Sequence, residues 1–214
     1  MEEQAPHDEK LTLILRTAAV IFAEKGYHQA SIRDISRATG ISLSGLYYYV
    51  PSKEEILFRI QEHAFRTVVE NLERRLRGVA DPEERLRLFI ENHLRFFVAN
   101  MKEMKVLSHE ATALSGELRE RVAAVKRCYT DVCSGILGAL RPDADAAELR
   151  VATFSLFGMM NWIYNWYHPG RDVPVDALAA EMTRIFMRGY LAGTAEPVAR
   201  PVGGAAEMES TLWR

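Results

Sequence analysis

Residues 31–57 read SIRDISRATGISLSGLYYYVPSKEEIL and contain three helix-start signals in close succession. Each signal is a serine, a preferred N-cap residue, that precedes apolar residues at helical spacing: Ser31, Ser42 and Ser52. Gly40 separates the first two segments and suits a tight turn between two steeply crossing helices. The pattern predicts a helix-turn-helix, followed by a long helix after Ser52 in which Glu55 completes a capping box.

The second short helix keeps one face free, and that face is rich in hydroxyl groups and small side chains. Its residues are Ser42, Leu43, Ser44, Gly45, Tyr47, Tyr48 and Tyr49. Helix N-termini offer N–H groups to phosphate, and serine and tyrosine hydroxyls can contact phosphates or base edges. Arg33, Arg37 and Lys53 supply positive charge. DNA binding is favoured over a hairpin whose tyrosines pack on the body, because three consecutive tyrosines cannot all face one core.

The spacing Gly-x-Ser-x-x-x-Leu-Tyr-x-Tyr-x-x-Ser-Lys-Glu-Glu-x-Leu over residues 40–57 resembles that of the TetR family of bacterial transcriptional repressors. The resemblance covers residues 10–57 closely; beyond them, only length and helix count match. Ser36 and Thr39 stand where alanine is usual in the family, and Val50 where phenylalanine is common.

The resemblance implies a role for each matching residue of the head. It implies that Ser31 and Arg33 reach phosphate from the first short helix, and that Lys53 clamps a phosphate. It places four residues at the major groove, namely Leu43, Ser44, Gly45 and Tyr48. Tyr47 and Tyr49 would contact the DNA backbone.

Helical periodicity and capping signals fill nearly all of the remaining chain. We expect further helices over residues 8–25, 52–77, 81–113 with a break near 101–104, 115–140, 145–167 and 174–192. The sequence thus predicts an all-α fold of about nine helices. We expect a helix-turn-helix domain over residues 1–51, a ligand-binding and dimerisation bundle over 52–193, and a disordered tail over 194–214.

Composition narrows the class of protein further. The 214 residues are 48% hydrophobic and 26% charged, as in ordinary globular chains, and the net charge is −2. DNA affinity must therefore come from local placement of cations rather than from a basic field. No apolar run is long enough for a bilayer, and residues 1–4 begin no signal peptide. Cys128 and Cys133 lie on different helix faces and cannot pair. We expect a cytoplasmic protein without membrane contact.

The last two predicted helices resemble in position the dimerisation helices of the family. Their apolar and small side chains form stripes that we expect at a homodimer interface: Val151, Phe154, Gly158, Met182, Ile185, Phe186 and Gly189. Glycine in such a stripe would allow close helix approach. The alternative is that these stripes are part of an intramolecular core.

Residues 154–167 read FSLFGMMNWIYNWY and are apolar nearly all round, so we expect burial on two sides. One side could form the wall of an effector cavity, with polar groups from two asparagines: Phe157, Met160, Asn161, Trp162, Asn165 and Trp166. Plain packing is the alternative. The Asn-Trp-x-Tyr-x-Trp-Tyr segment and the Pro-Gly-Arg after it resemble, more loosely, regulators of fatty-acid and CoA-thioester metabolism.

Enzyme signatures are lacking: there is no Gly-x-Ser-x-Gly elbow, P-loop, Gly-x-Gly-x-x-Gly or His-Glu-x-x-His motif. No histidine stands at metal-ligand spacing from another histidine or a cysteine, so we expect no metal, no cofactor and no catalytic residue. His93 and His109 could orient a ligand, although a solvated or core role is the favoured interpretation.

Together these observations predict a homodimeric repressor that binds a palindromic double-stranded DNA operator. A hydrophobic effector, with long-chain acyl-CoA as the best candidate, would release it. The alternatives are a related regulator of another hydrophobic or aromatic ligand, a ligand-independent activator or architectural DNA-binding protein, and a small helical enzyme.

Overall fold

The computed structural model describes residues 4–101, 104 and 113–192, and all regular secondary structure in these ranges is helical. It comprises eight α-helices and one 3₁₀ helix: α1 (Gln4–Lys25), α2 (Ile32–Thr39), α3 (Leu43–Tyr49), α4 (Lys53–Leu76), α5 (Pro82–Ala99), α6 (Gly116–Leu140), α7 (Ala146–Asn161), the 3₁₀ helix (Trp162–Asn165) and α8 (Val175–Leu191). The predicted all-α class is confirmed. The expected tail, residues 194–214, lies outside the described residues.

Side-chain caps set most helix starts. Ser31 accepts a hydrogen bond from the Asp34 amide and Asp34 accepts one in return, which completes a capping box. Ser42 accepts from the Gly45 amide in the same way. The capping box expected at Ser52 is only half formed, because the Glu55 carboxylate accepts from Arg59 Nε at 2.7 Å instead.

One predicted helix end needs correction, and the break expected near residues 101–104 begins slightly earlier, at Asn100. The helix starting after Asp145 ends at Asn161 rather than near Tyr167, and a single 3₁₀ turn follows, which is common at helix C-termini. Helix α5 ends at Ala99. The Asn100 side chain donates to the Phe96 carbonyl oxygen at 2.8 Å and so satisfies one of the carbonyl groups in the last turn of the helix. Residues 102–103 and 105–112 of the expected continuation lie outside the described residues.

Helix α5 lies at the centre of the molecule. It packs against α4, α6, α7 and α8, and its residues Leu86, Phe89, Ile90 and Leu94 are fully buried. Helices α1–α3 form the N-terminal head, in which α1 packs on both α2 and α4. Helix α4 therefore contacts the head at α1 and the bundle at α5 and α6. Within the described ranges, no helix combines the length and apolar character needed to cross a membrane.

Candidate functional site

The turn between α2 and α3 is held by side chains from α2. Ile35 of α2 and Leu46 of α3 are both fully buried in the same core cluster. The Ser36 hydroxyl donates to the Ile41 carbonyl oxygen at 2.6 Å, and the Thr39 hydroxyl accepts from the Ile41 amide at 3.3 Å. The two hydroxyl residues that depart from the family's usual alanine thus fix the geometry of the turn.

Gly45 is required by packing within the helix-turn-helix. A Cβ at this position would lie 2.9 Å from Ile41 Cγ2, closer than carbon atoms pack in real structures, and would also lie a tight 3.2 Å from Ser42 Oγ. Gly45 therefore has a role inside the head, in addition to the close approach to DNA that the sequence predicted.

Helix α3 presents an exposed surface of hydroxyl groups and apolar side chains. Tyr48 is 75% exposed, the most of its large hydrophobic side chains, and Tyr47 is 54% exposed. The other predicted DNA-binding residues that are exposed are Ser31, Arg33, Ser42, Leu43 and Ser44. Ser42 Oγ and Ser44 Oγ lie 3.1 Å apart. These side chains are available to a ligand as large as a DNA duplex.

Tyr49 is half-buried, and its position involves a residue that the sequence did not single out for the head. The His7 ring on α1 lies 4.7 Å from the Tyr49 ring and 5.9 Å from the Tyr48 ring, centroid to centroid. The start of α1 therefore packs against the end of α3. No spacing rule in the sequence links these two segments, which lie about forty residues apart.

Lys53 makes contacts within the head that the sequence did not predict. Its ammonium donates to the carbonyl oxygens of Tyr27 and Ala30, each at 2.9 Å, and reaches the His28 oxygen at 3.5 Å. The nitrogen also lies 4.4 Å from the centre of the Tyr27 ring. An ammonium has three N–H donors, and all three of its acceptors here belong to the α1–α2 loop. Lys53 thus anchors α4 to that loop, and its contact with phosphate stays a prediction.

Asp34 accounts for part of the charge balance of the head. Hydrogen bonds from the Ser31 hydroxyl and from Lys25, at 2.6 and 3.0 Å, lower the pKa of its carboxyl. The carboxylate therefore stays ionised and pairs with Lys25, while Arg37 lies 4.0 Å away. The Asp34 carboxylate offsets part of the positive charge of the head. This agrees with the expectation that DNA affinity depends on where individual cations lie rather than on net charge.

A cavity of about 1270 Å³, which we call the arginine cavity, lies between α1, α4 and α5. Four arginines line it, and no carboxylate does so among the described lining residues: Arg16, Arg74, Arg75 and Arg95. Arg75 and Arg95 share Glu91 at 2.8 and 2.9 Å, and Arg74 donates to Asn71. Apolar side chains such as Leu15, Val20 and Phe96 complete the wall.

A second cavity of about 500 Å³, the aromatic cavity, lies among α4, α5, α6 and α7. Most of its described lining is apolar, with rings from Phe65, Phe96, Phe97 and Phe157. Phe96 and Met104 line both cavities, so the two spaces adjoin. The pair offers a compartment lined by guanidinium groups, three of them already engaged by Glu91, Asp176 or Asn71, next to an apolar one.

His93 is the buried polar group in the aromatic cavity. Its ring stacks on Phe97 at 4.4 Å, and Nδ1 lies 3.4 Å from the Tyr129 hydroxyl. Burial lowers the pKa of His93 to about 3, opposed in part by the nearby Asn161 side chain. Burial also raises the pKa of Tyr129. Both side chains are therefore neutral at physiological pH.

Three of the six predicted effector-binding residues line a cavity, and three do not. Phe157, Asn161 and Trp162 line the aromatic cavity. Met160 is fully buried and lines neither cavity, while Asn165 and Trp166 are exposed and line neither. The 3₁₀ turn from Trp162 changes the direction of later side chains, which helical periodicity could not foresee. The sequence also missed the arginine cavity, because its lining comes from three separated helices.

Some of the expected dimer residues are exposed and others are buried within the protomer. Val151, Phe154 and Ile185 are each about half exposed, and Gly158 and Gly189 lie at open surface. Met182 and Phe186 are only 7% and 9% exposed within the protomer. Those two belong to the intramolecular core, because one face of α8 packs on α5. The other face of α8 and the adjoining face of α7 leave apolar side chains exposed.

Comparisons with known proteins agree with this architecture. Residues 14–60 match the family described as bacterial regulatory proteins, tetR family, and residues 79–190 match the tetracyclin repressor-like C-terminal domain. A fatty acid metabolism regulator protein of Bacillus subtilis is 25% identical over 196 residues, covering 88% of this chain and 98% of the relative.

Two solved structures extend the comparison. A TetR-family transcriptional regulator from Bordetella parapertussis is 31% identical with a TM-score of 0.79, covering 87% of this chain and 98% of that one. AibR in complex with isovaleryl coenzyme A and operator DNA is 28% identical with a TM-score of 0.74, covering 82% and 97%.

Proposed function

Because the chain belongs to the TetR family of bacterial transcriptional regulators, we propose that it is a repressor that binds a palindromic operator as a homodimer. A hydrophobic effector, best represented by a long-chain acyl-CoA, releases the operator. The observation that carries the effector assignment is the arginine cavity adjoining the aromatic cavity.

The exposed surface of α3 supports the DNA-binding part of this proposal. Tyr47 and Tyr48 hydroxyls and the serines at the helix start are suited to phosphates and base edges. Arg33 adds charge from α2. Since Lys53 is engaged with the α1–α2 loop, electrostatic contact with the DNA backbone falls to Arg33 and Arg37.

The two cavities match the two chemical parts of an acyl-CoA. Guanidinium groups bind phosphate oxygens in a fork geometry, so the arginine cavity suits the phosphates of CoA. The aromatic rings of the neighbouring cavity suit an acyl chain. The chain's likeness to a fatty acid metabolism regulator, and to a protein crystallised with isovaleryl coenzyme A, supports the same class of ligand.

Release of DNA follows from where the arginine cavity lies. Its lining includes Arg16, Thr12 and Leu15 on α1 of the head, and residues of α4 and α5 in the bundle. A ligand that bridges these helices changes the position of α1 relative to α4. If the ligand binds the DNA-incompetent arrangement better, it shifts the population toward it. Coupling of about 1–3 kcal/mol would weaken operator affinity by about 5–150-fold.

The exposed apolar side chains on α7 and α8 support a dimer. Val151, Phe154 and Ile185 lie beside the open positions Gly158 and Gly189. A two-fold dimer through this face would present two heads to a palindrome, whose half-sites lie about one DNA turn apart, or roughly 34–36 Å.

The test is displacement from an operator selected from random duplexes with the purified protein. Palmitoyl-CoA should release a labelled operator, whereas free CoA and acetyl-CoA should not. Arg16→Ala should weaken the response because it removes a cation from the cavity, while Arg77→Ala, an exposed arginine outside the lining, should leave it unchanged. Release only by aromatic CoA esters, or only by cationic drugs, would show that the effector belongs to that class rather than to the long-chain acyl-CoAs. No release by any compound would favour a ligand-independent regulator.

A further inference from the structure

The aromatic cavity contains one buried polar atom whose hydrogen-bonding capacity is unused. His93 is 4% exposed, and its Nε2 has no hydrogen-bond partner among the described residues. Buried polar atoms are nearly always paired, so an unpaired one on a cavity wall indicates a ligand group that pairs with it. The surrounding rings of Phe97, Tyr129 and Phe157 offer no such partner to Nε2.

The neighbours of His93 determine which of its nitrogens carries the proton. The Tyr129 hydroxyl lies 3.4 Å from Nδ1 of His93, and we assign the hydroxyl as the donor of this pair. With Nδ1 as an acceptor, neutral imidazole carries its proton on Nε2. The cavity wall therefore presents an N–H donor.

We propose that His93 is a specificity-determining residue whose Nε2–H donates to the carbonyl oxygen of the effector's acyl group. This inference rests on the acyl-CoA class proposed above and adds to it the atom that is recognised. Asn161, which lines the same cavity and interacts with His93, limits where that oxygen can lie. A ligand without the carbonyl leaves Nε2–H buried and unpaired, which disfavours its binding.

Lys126 is the other polar group to be considered in this cavity. Its ammonium lies 4.7 Å from the centre of the Phe65 ring, and burial lowers its pKa. A free carboxylate would pair with this cation, whereas an uncharged thioester carbonyl needs only the neutral donor of His93. The two modes separate a free fatty acid from its CoA thioester.

The experiment compares two ligands that differ by one oxygen atom. Calorimetry measures the affinity of the wild-type protein for palmitoyl-CoA and for S-hexadecyl-CoA, a thioether of the same chain length in which CH₂ replaces C=O. Wild type should prefer the thioester by about tenfold or more. His93→Phe keeps an aromatic ring but no donor, and should bind both ligands within about twofold of each other.

Two further variants separate recognition from structure. His93→Gln retains an N–H donor and should restore a preference for the thioester. Thr130→Val alters another polar lining residue, whose hydroxyl already donates to Lys126 O, and should keep the wild-type preference. Equal affinities in wild type, or an unchanged ratio in His93→Phe, would overturn this inference alone. Binding of neither ligand to wild type would overturn the acyl-CoA assignment itself.

Discussion

Replacing Lys53 by methionine tests whether this residue stabilises the head or binds DNA. Methionine keeps an unbranched apolar side chain of similar length but cannot donate to the carbonyl oxygens of Tyr27 and Ala30, each 2.9 Å from the ammonium. Hydrogen bonds from a charged group contribute roughly 1.5–3 kcal/mol, and a cation–π contact roughly 0.5–1 kcal/mol. The free energy of unfolding should therefore fall by about 2–4 kcal/mol, and the thermal midpoint by roughly 4–16 °C.

Urea and thermal unfolding followed by circular dichroism measure this change. Lys10→Met is the matched control, because Lys10 is exposed on α1 and should change stability by less than about 0.5 kcal/mol. The opposite result is equally clear. An unchanged midpoint, together with a DNA-binding salt slope reduced by about one, would mean that Lys53 contacts a phosphate and that the loop anchor is wrong.

Three other predictions concern separate parts of the molecule. Tyr48→Ala should lower operator affinity by roughly tenfold in a fluorescence anisotropy titration without moving the thermal midpoint, since this side chain is 75% exposed. His93 has a pKa of about 3, below its ordinary value, so the unfolded state takes up the proton first as the pH falls below about 6.5. Between pH 7 and pH 5, wild type should lose about 2 kcal/mol more unfolding free energy than His93→Gln, and equal losses would refute the neutral buried histidine. Ile185→Glu should give monomers in sedimentation at micromolar concentration, whereas Arg171→Glu should remain dimeric; a monomeric wild type would refute the interface.

The head could be predicted closely because its signals are local. Ser31, Ser42, Gly40 and Asp34 act within a few residues of themselves, and the structure places their caps and turn where the spacing indicated. The loop contacts of Lys53 were missed for the opposite reason. Its partners are carbonyl groups more than twenty residues away, and a backbone acceptor has no signature in the amino-acid sequence.

The residues that line the cavities show how much helical periodicity can predict. It identified Phe157, Asn161 and Trp162 as lining residues, but it misplaced Asn165 and Trp166, which follow the change from α-helix to 3₁₀ helix. It also could not assemble Arg16 with Arg74 and Arg95, because their proximity depends on how α1, α4 and α5 pack. Met182 and Phe186 were assigned to the dimer interface for the same reason. An apolar stripe on α8 does not reveal whether a helix of the same protomer or a second protomer covers it.

The central claim is that effector and operator compete through the position of α1 relative to α4. The most direct test measures the affinity of palmitoyl-CoA for the free protein and for the protein saturated with its selected operator. Because coupling between two binding sites is reciprocal, the operator should weaken palmitoyl-CoA binding by the same factor, about 5–150-fold, by which palmitoyl-CoA weakens operator binding. Equal affinities of palmitoyl-CoA for the free and operator-bound protein would contradict the account.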